Sequence, residues 1–219
     1  YDRARSKVVL FGGYKTSYKD DTWEWNGSYW LSKNPSTKPS ARREHSMTYD
    51  VKREKVVLFG GFTGANNNET WEWDGNNWTQ KNPLNKPSAR YNHSMVYHNY
   101  YGKVILFGGY NGSVTNNETW EWDGENWNQL NLIIKPSARQ GHSMAFDSIE
   151  GKVLMFGGSS GDTGMWAFES GWNDSPGQIF TSYVYYYQQP DIFQYSKVYF
   201  RSISGFFNAG GVGDVQGSA

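Results

Sequence analysis

Short apolar runs alternate with polar, glycine-rich segments along most of the chain. In the stretch 44–82, such runs lie at 44–49, 55–59, 69–73 and from 78 onward. The second run, Lys-Val-Val-Leu-Phe, is continuous and β-branched, which is typical of a strand buried on both faces. In the third run Trp71 and Trp73 share one face, because side chains alternate along a strand. Asp74-Gly75 then predicts a hairpin turn, so the stretch is predicted to form four strands joined as a meander.

The same pattern recurs along the chain. Gly-Gly falls at 12–13, 60–61, 108–109 and 157–158, in steps of 48, 48 and 49 residues. Trp-Glu-Trp falls at 23–25, 71–73 and 120–122, and His-Ser-Met at 45–47, 93–95 and 142–144. A self-similarity of this period indicates a solenoid, a propeller or an array. Because helical periodicity is absent and each repeat is a four-stranded meander, the pattern predicts an all-β propeller.

The repeated motifs resemble those of kelch-type β-propellers. The resemblance rests on the Gly-Gly pairs after the second strand, Gly12 and Gly13, Gly60 and Gly61, Gly108 and Gly109, and Gly157 and Gly158, and on the tryptophan pairs Trp25 and Trp30, Trp73 and Trp78, and Trp122 and Trp127. It covers residues 1–172 and implies four recognisable blades of four-stranded antiparallel sheet. The Trp-Glu-Trp-Asp-Gly version resembles microbial, surface-associated kelch proteins more than intracellular adaptors.

The two ends of the chain depart from the repeat. Tyr1 lies in mid-repeat, so the first blade is expected to lack its first strand, and we expect the chain to be a piece of a longer protein. Beyond Trp172 the motifs fade, although 179–187 and 197–200 still alternate as strands do. The segment 173–219 is therefore predicted to be a ring-closing strand, a degenerate blade or the start of a next domain, with a glycine-rich tail at 209–219. The missing strand is expected from 179–187, from sequence outside this chain, or from another chain by self-association.

Composition narrows the classes of partner. Lys and Arg number 21, as do Asp and Glu, so the chain has no net positive charge to attract nucleic acid. No run approaches the 18 apolar residues of a membrane-spanning helix. There is no cysteine, which excludes disulfides and thiolate metal sites. We expect no cofactor.

The repeated histidines and tryptophans are interpreted as structural. His45, His93 and His142 would surround a propeller axis, which raises the alternative of a metal site. Equivalent residues of adjacent blades lie too far apart for one ion, however, since zinc–nitrogen distances are about 2.1 Å. Each histidine follows an arginine by three positions, which favours a repeated hydrogen-bond cluster. The resemblance implies that the tryptophan pairs lie between sheets rather than stacked on sugars. The Gly-Gly pairs lack the Lys-Ser/Thr of a phosphate loop.

Nothing in the sequence indicates a catalytic group. Copper radical oxidases that resemble galactose oxidase share the fold, but their cofactor needs a cysteine cross-linked to a tyrosine, and this chain has no cysteine. A serine nucleophile motif is also absent. We therefore expect a protein that is not an enzyme.

The loops after Gly-Gly differ between blades, and function on a rigid scaffold usually lies on its loops. Three of the four begin with an aromatic residue, and all four are expected at one face of the ring. The residues expected to bind a ligand there are Tyr14, Asp20, Asp21, Phe62, Asn66, Asn67, Tyr110, Asn116 and Asp162. The alternative is a solvated loop rim without a ligand.

Asparagine acceptor patterns, Asn-x-Ser/Thr, bear on the compartment. Those expected at turns or strand ends, where a glycan fits, are Asn26, Asn68, Asn111 and Asn117. We expect an extracellular or cell-surface protein, a module for recognition and assembly that binds protein or glycan. The alternatives are the propeller portion of a secreted carbohydrate-active enzyme, and a structural subunit that completes its first blade with a neighbour's strand.

Overall fold

The computed structural model describes residues 1–159, 164–174, 179–188 and 194–203, with side chains up to residue 172. These residues contain seventeen β-strands and no helix. They divide into two compact units, Tyr1–Asp174 and Ser175–Ala219. The predicted all-β, propeller-like fold is confirmed.

Four antiparallel sheets make up the first unit, and we number them blades 1 to 4. Blade 1 consists of β1 (Val8–Tyr14), β2 (Tyr18–Trp25) and β3 (Trp30–Lys33). Blade 2 consists of β4 (Ser46–Asp50), β5 (Lys55–Phe59), β6 (Thr70–Trp73) and β7 (Trp78–Lys81). Blade 3 consists of β8 (Ser94–His98), β9 (Lys103–Phe107), β10 (Thr119–Trp122) and β11 (Trp127–Leu130). Blade 4 consists of β12 (Ser143–Asp147), β13 (Lys152–Phe156), β14 (Trp166–Phe168) and β15 (Trp172–Asp174), so its last strand crosses the predicted boundary at 172.

The strand order in blades 2 to 4 is that of a simple meander. Strand β4 lies beside β8, and β8 lies beside β12, so the first strands of these blades share the inner side of the unit. Each blade then has two ends. We call the end where the second strand finishes in Gly-Gly the loop end, and the end where a short turn joins the first strand to the second the turn end.

Blade 1 retains only the last residues of its first strand. Asp2 and Lys7 exchange two backbone hydrogen bonds, of 2.7 and 3.1 Å, as Asp50 and Lys55 pair in blade 2. Among the described strands β1 pairs with β2 alone. The second unit holds a hairpin of β16 (Ile179–Gln188) and β17 (Gln194–Ile203), and these strands confirm the two predicted beyond Trp172.

Three hydrophobic cores lie in the seams between consecutive blades. The first combines Phe11 of blade 1 with Trp73 and Trp78 of blade 2. The second joins Val57 and Phe59 of blade 2 to blade 3, and the third joins Ile105 and Phe107 of blade 3 to blade 4. The second strands of blades 2 and 3 therefore contribute to two cores at once, as their continuous apolar runs predict.

Hydrogen bonds across the seams fix the tryptophan pairs. The indole of Trp78 donates to Thr22 Oγ1 at 2.9 Å, and that of Trp73 donates to Glu24 Oε1 at 3.1 Å. The same bond recurs in the next two seams, where Trp127 donates to Thr70 Oγ1 at 2.9 Å and Trp172 donates to Thr119 Oγ1 at 2.7 Å. These four buried indoles thus satisfy their only donor on the preceding blade.

Candidate functional site

A continuous row of aromatic side chains lies at the loop end of blades 1 to 3. It runs from Tyr14 to Tyr18 (5.2 Å between ring centroids), to Phe62 (6.1 Å), to Tyr91 (5.6 Å) and to Tyr110 (5.6 Å). We call these five residues the aromatic row. Tyr14 is 54% exposed and the other four are half-buried. Rings at these separations support one another edge to face, so the row is a firm surface rather than a set of independent side chains.

One arginine lies over the row. The Arg43 guanidinium carbon is 5.1 Å from the ring centroid of Tyr14, 5.6 Å from that of Phe62 and 5.9 Å from that of Tyr18. These distances are those of cation–π contacts. The Arg43 side chain is 39% exposed, and its ion pair with Glu44 is long, at 3.7 Å. The row therefore carries a cation that solvent and a partner can reach.

Backbone pairing places the members of the row side by side. Arg43 and Phe62 exchange two backbone hydrogen bonds, of 3.1 and 2.8 Å. Tyr91 and Tyr110 do the same in blade 3, at 3.1 and 2.9 Å. In blades 2 and 3, the residue shortly before the first strand thus lies beside the residue that directly follows the Gly-Gly pair of the same blade.

A buried arginine just before each of these positions holds the loop end together. Arg90 is fully buried and donates from Nη1 to the carbonyl of Gly108 at 3.0 Å and from Nη2 to Glu118. Its own carbonyl accepts from the backbone N–H of Gly61, in blade 2, at 2.9 Å. Arg90 thus joins its own blade to the preceding one. The Arg42 backbone makes the equivalent bond to Gly13 at 2.8 Å.

The Gly-Gly pairs are required by these contacts. A Cβ on Gly60 would come within 2.6 Å of the Arg90 carbonyl oxygen, and the residue has a φ of +67°. A side chain there would strain the backbone and push the two blades apart. The backbone role expected for this glycine has a steric cause.

The acidic partners of the arginines stay ionised. Burial by itself would raise the pKa of Glu118, but the hydrogen bonds from Arg90 and Trp120 and the charge of Arg90 outweigh it and lower that pKa. Glu69 has a lowered pKa for the same reasons, with Arg42 and Trp71 as donors. The arginine–glutamate pairs are therefore charged at neutral pH.

The three repeated histidines lie in the seams. The rings of His45, His93 and His142 meet Phe11, Phe59 and Phe107 of the preceding blade edge-on, at 5.7, 5.4 and 5.5 Å. Burial, followed by the charge of the neighbouring arginine, lowers the pKa of His45 and of His142 to about 4. Burial lowers the pKa of His93 as well. Within the part of the chain that the structure describes, no group of three or more potential ligands is placed to hold a metal ion.

Several residues expected to bind a ligand instead have intramolecular partners. Asn67 Oδ1 accepts from the backbone N–H of Glu69 at 2.7 Å, and Asn116 Nδ2 donates to the Gly109 carbonyl at 3.3 Å. Asn66 packs against Gly112 of the next loop. These asparagines shape the loops that carry the aromatic row.

Two of the expected aspartates lie in a strand. The expected loop of blade 1 is shortened to three residues, because β1 extends to Tyr14 and β2 begins at Tyr18. Asp20 forms an ion pair with Lys38 at 2.9 Å, and Asp21 accepts from the Trp23 indole at 2.6 Å. Asp162 lies outside the described residues.

Sequence reasoning missed three members of this site, namely Tyr18, Arg43 and Tyr91. A signal for the last two was available, since both directly follow the arginine of the Arg-x-x-His motif. Aligning the repeats at that arginine places Arg43, Tyr91 and Gln140 at one position. No motif marks Tyr18, which reaches the row through the hairpin of blade 1.

The four expected glycan acceptors are half-buried. Asn26 Oδ1 accepts from Ser28 N–H at 2.9 Å within the β2–β3 turn, and Asn111 Oδ1 accepts from Val114 N–H at 2.9 Å. Asn68 and Asn117 are half-buried beside strands β6 and β10. All four stay predictions.

Comparison with protein families agrees with the geometry. The model of the KLHDC2/KLHL20/DRC7 Kelch-repeats domain matches residues 3–169. The chain belongs to the kelch-repeat family. Kelch-repeat domains usually mediate protein interactions, which makes this kelch domain a protein-binding propeller in general terms. No curated protein matches the chain. Within the described residues of the kelch chain, no helix is long and apolar enough to cross a membrane.

Proposed function

We propose that this kelch domain is a non-catalytic recognition module that binds a partner protein through the aromatic row, outside the cell or at its surface. The observation that carries the proposal is the unbroken contact of five aromatic rings across three blades, with Arg43 over them. Tyrosine and arginine are the residues enriched where protein interfaces derive most of their binding energy. The acceptor asparagines support an extracellular setting.

The geometry of the row favours a protein as the ligand over a sugar. The rings meet one another at steep interplanar angles, from 59° to 71°, so the row is corrugated rather than flat. A corrugated aromatic surface fits the side chains of a peptide, whereas a sugar ring needs one flat face. Arg43 adds a donor for a carboxylate or a carbonyl of that peptide.

A non-catalytic role is supported by the state of the acidic groups near the row. Asp20 binds Lys38, Asp21 binds the Trp23 indole, and Glu69 binds Arg42. Carboxylates tied in this way are structural acceptors, and the lowered pKa of Glu69 does not suit a general acid at neutral pH. This observation favours a binding module over a carbohydrate-active enzyme.

Selection of peptides from a random displayed library tests the proposal directly. We expect peptides selected on the whole chain to bind at least 10-fold more weakly to Arg43→Ala and to Tyr91→Ala, as removal of central interface residues does. Leu84→Ala is the matched control, because Leu84 is 93% exposed and lies outside the row. Circular dichroism melts of all variants show whether each is folded.

Three outcomes would contradict the proposal. One is that selected peptides bind the row variants as tightly as the unaltered chain while Leu84→Ala weakens them. Another is that an array of neutral glycans yields row-dependent binding where no peptide does, which would place a sugar on the row. Turnover of a glycoside substrate by the chain would replace the binding module with the enzyme alternative.

A further inference from the structure

A second concave surface lies at the turn end of blades 1 to 3, opposite the aromatic row. It is a cleft of about 430 Å³ that we call the turn-end cleft. Its lining comes from the turns of blades 1 to 3 and from strand β8, and consists of Arg3, Val51, Lys52, Tyr97, Asn99, Tyr100, Tyr101 and Gly102. The volume is within the usual range of small-ligand sites, about 300–1,000 Å³.

The repeat is broken where the cleft is formed. In blades 1 and 2 an aspartate at the end of the first strand binds an arginine three residues later, as Asp2 binds Arg5 at 2.7 Å and Asp50 binds Arg53 at 2.6 Å. In blade 3 the same two positions hold His98 and Tyr101. Their rings stack at 4.3 Å with an interplanar angle of 35°. In blade 4 they hold Asp147 and Glu150, so blade 3 alone among the four blades has two rings at these positions.

Tyr100 is held in place although it is 70% exposed. Its ring covers Gly151 in the turn of blade 4, where a Cβ would come within 2.5 Å of the ring. It also meets Phe146 at 6.1 Å, edge to face. The ring is therefore a supported, solvent-facing surface, which lowers the entropy lost when a ligand packs on it.

The cations of the cleft have no ionic partner. Arg3 and Lys52 form no ion pair with any residue that the structure describes, whereas Arg5 and Arg53, in the same two turns, do. No carboxylate from the part of the chain that the structure describes lines the cleft. The backbones of these turns are fixed by tyrosines of the next blade, since Lys52 N–H donates to Tyr97 Oη at 3.1 Å. The two cations thus project from turns with a fixed backbone and line the same cleft.

His98 lies beside the cleft residue Tyr101, and like His93 and His142 it is a buried histidine of this chain. It is 1% exposed, and neither ring nitrogen has a hydrogen-bond partner among the described residues. Buried polar groups in proteins nearly always have partners. Its ring packs against that of Tyr101, and Tyr101 also lines the cleft.

We propose that the turn-end cleft binds an anionic saccharide, with Arg3 and Lys52 holding its sulfate or carboxylate group and Tyr100 packing against a sugar ring. Asn99 supplies an amide that can both donate to and accept from a sugar hydroxyl. Cationic side chains make their strongest hydrogen bonds with oxyanions, and an exposed tyrosine offers the C–H face of a sugar an apolar surface. The cleft is confined to the turn ends of blades 1 to 3, so it fits one or two sugar rings rather than an extended acidic peptide.

Titration calorimetry on the whole chain tests the proposal with a sulfated disaccharide as the probe. We expect saturable binding that weakens at least 10-fold in the double variant Arg3→Gln/Lys52→Gln and at least 5-fold in Tyr100→Ala. The matched control is Lys15→Gln/Lys86→Gln, which removes the same charge from exposed lysines outside the cleft and is expected to stay within 2-fold. Equal melting temperatures exclude unfolding as the cause.

Three comparison probes make each outcome decisive. The unsulfated disaccharide is expected to bind at least 10-fold more weakly, and inorganic sulfate alone should bind far more weakly than the sulfated sugar. If inorganic sulfate bound as tightly as the sulfated disaccharide, Tyr100 would have no role in binding. If an oligoglutamate peptide bound more tightly than the disaccharide, the ligand of the cleft would be an acidic protein segment. Equal loss in the two double variants, or the absence of binding at millimolar probe, would overturn the proposal. The aromatic row variant Tyr91→Ala keeps this test separate from that of the proposed function.

Discussion

At the scale of single residues, each blade is tied to the previous one by an arginine and a histidine. The arginine satisfies its donors on its own blade while its carbonyl accepts from the glycine of the preceding blade. The histidine stays neutral because burial disfavours its charged form. Each seam therefore contains a buried arginine and a histidine whose charge states affect the stability of the fold.

Acid should therefore weaken the fold before the carboxylates are protonated. His45 and His142 have a pKa of about 4 in the folded chain, against 6.5 when exposed. Between pH 6.5 and 4 the unfolded state binds more protons, so the free energy of unfolding falls as the pH falls. Complete protonation costs about 3 kcal/mol for each histidine. Urea unfolding at pH 7.5, 6, 5 and 4.5 measures the loss.

A variant assigns that loss to the seam. We expect the unfolding free energy of His142→Gln to depend less steeply on pH over the same window, because its unfolding takes up one proton fewer. The glutamates Glu69 and Glu118, with lowered pKa values, add to the loss only below about pH 4.5. Unchanged stability between pH 7.5 and 5 would show that the histidines titrate normally.

At the scale of elements, the second strand of each blade is the part that two seams share. Val56 and Leu58 of β5 face blade 1, and Val57 and Phe59 face blade 3. In β1 the residues equivalent to the first pair, Val8 and Leu10, are 38% and 43% exposed. Equivalent residues of β5 and β1 therefore differ in burial, because a preceding blade covers β5 and none of the described blades covers β1 on the same face.

The same difference predicts unequal costs for two equivalent tryptophans. Trp78 is 1% exposed in the seam with blade 1, whereas Trp30 is 44% exposed. We expect Trp78→Ala to destabilise the chain by about 3–5 kcal/mol, and Trp30→Ala by about 1 kcal/mol. Chemical denaturation of both variants gives the comparison. Tyr14→Ala, at an exposed end of the aromatic row, serves as a surface control within about 0.5 kcal/mol. Equal costs for the two tryptophans would mean that Trp30 is buried in solution.

At the scale of the whole first unit, its two outer faces match only in part. The face of blade 1 offers Trp25 and Trp30, whose counterparts donate to a glutamate and a threonine of the preceding blade. The outer face of blade 4 exposes Phe156 but holds Met165 and Ala167 at those acceptor positions. Head-to-tail stacking of two copies would leave two buried indole donors unsatisfied, each at a cost of about 1–3 kcal/mol.

We therefore expect the chain to show no head-to-tail association through blades 4 and 1 at micromolar concentration. Restoring the acceptors with Met165→Thr/Ala167→Glu should promote association that depends on concentration and is abolished by Trp30→Ala. Light scattering over a concentration series measures both. Association of the unaltered chain that survives Trp30→Ala would favour completion of blade 1 by a neighbour's strand instead.

Much of the fold could be predicted from the sequence because the signals are local and repeated. Two glycines, a Val-Val-Leu-Phe run and a Trp-x-Trp pair determine strand, turn and facing direction within a few residues, and repetition removes the ambiguity of any one copy. Part of the aromatic row was predictable for the same reason, since Tyr14, Phe62 and Tyr110 follow Gly-Gly.

Only the tertiary structure decided how residues of different blades meet. Arg43 and Tyr91 join the row through backbone pairs between segments about twenty residues apart, and Tyr18 joins it through the hairpin of blade 1. The turn-end cleft likewise combines Arg3, Lys52 and Tyr100 from three repeats. The sequence by itself determined the repeating unit, because strand patterns depend on near neighbours. The sites depend on the packing of units whose side chains differ, so they are decided in three dimensions.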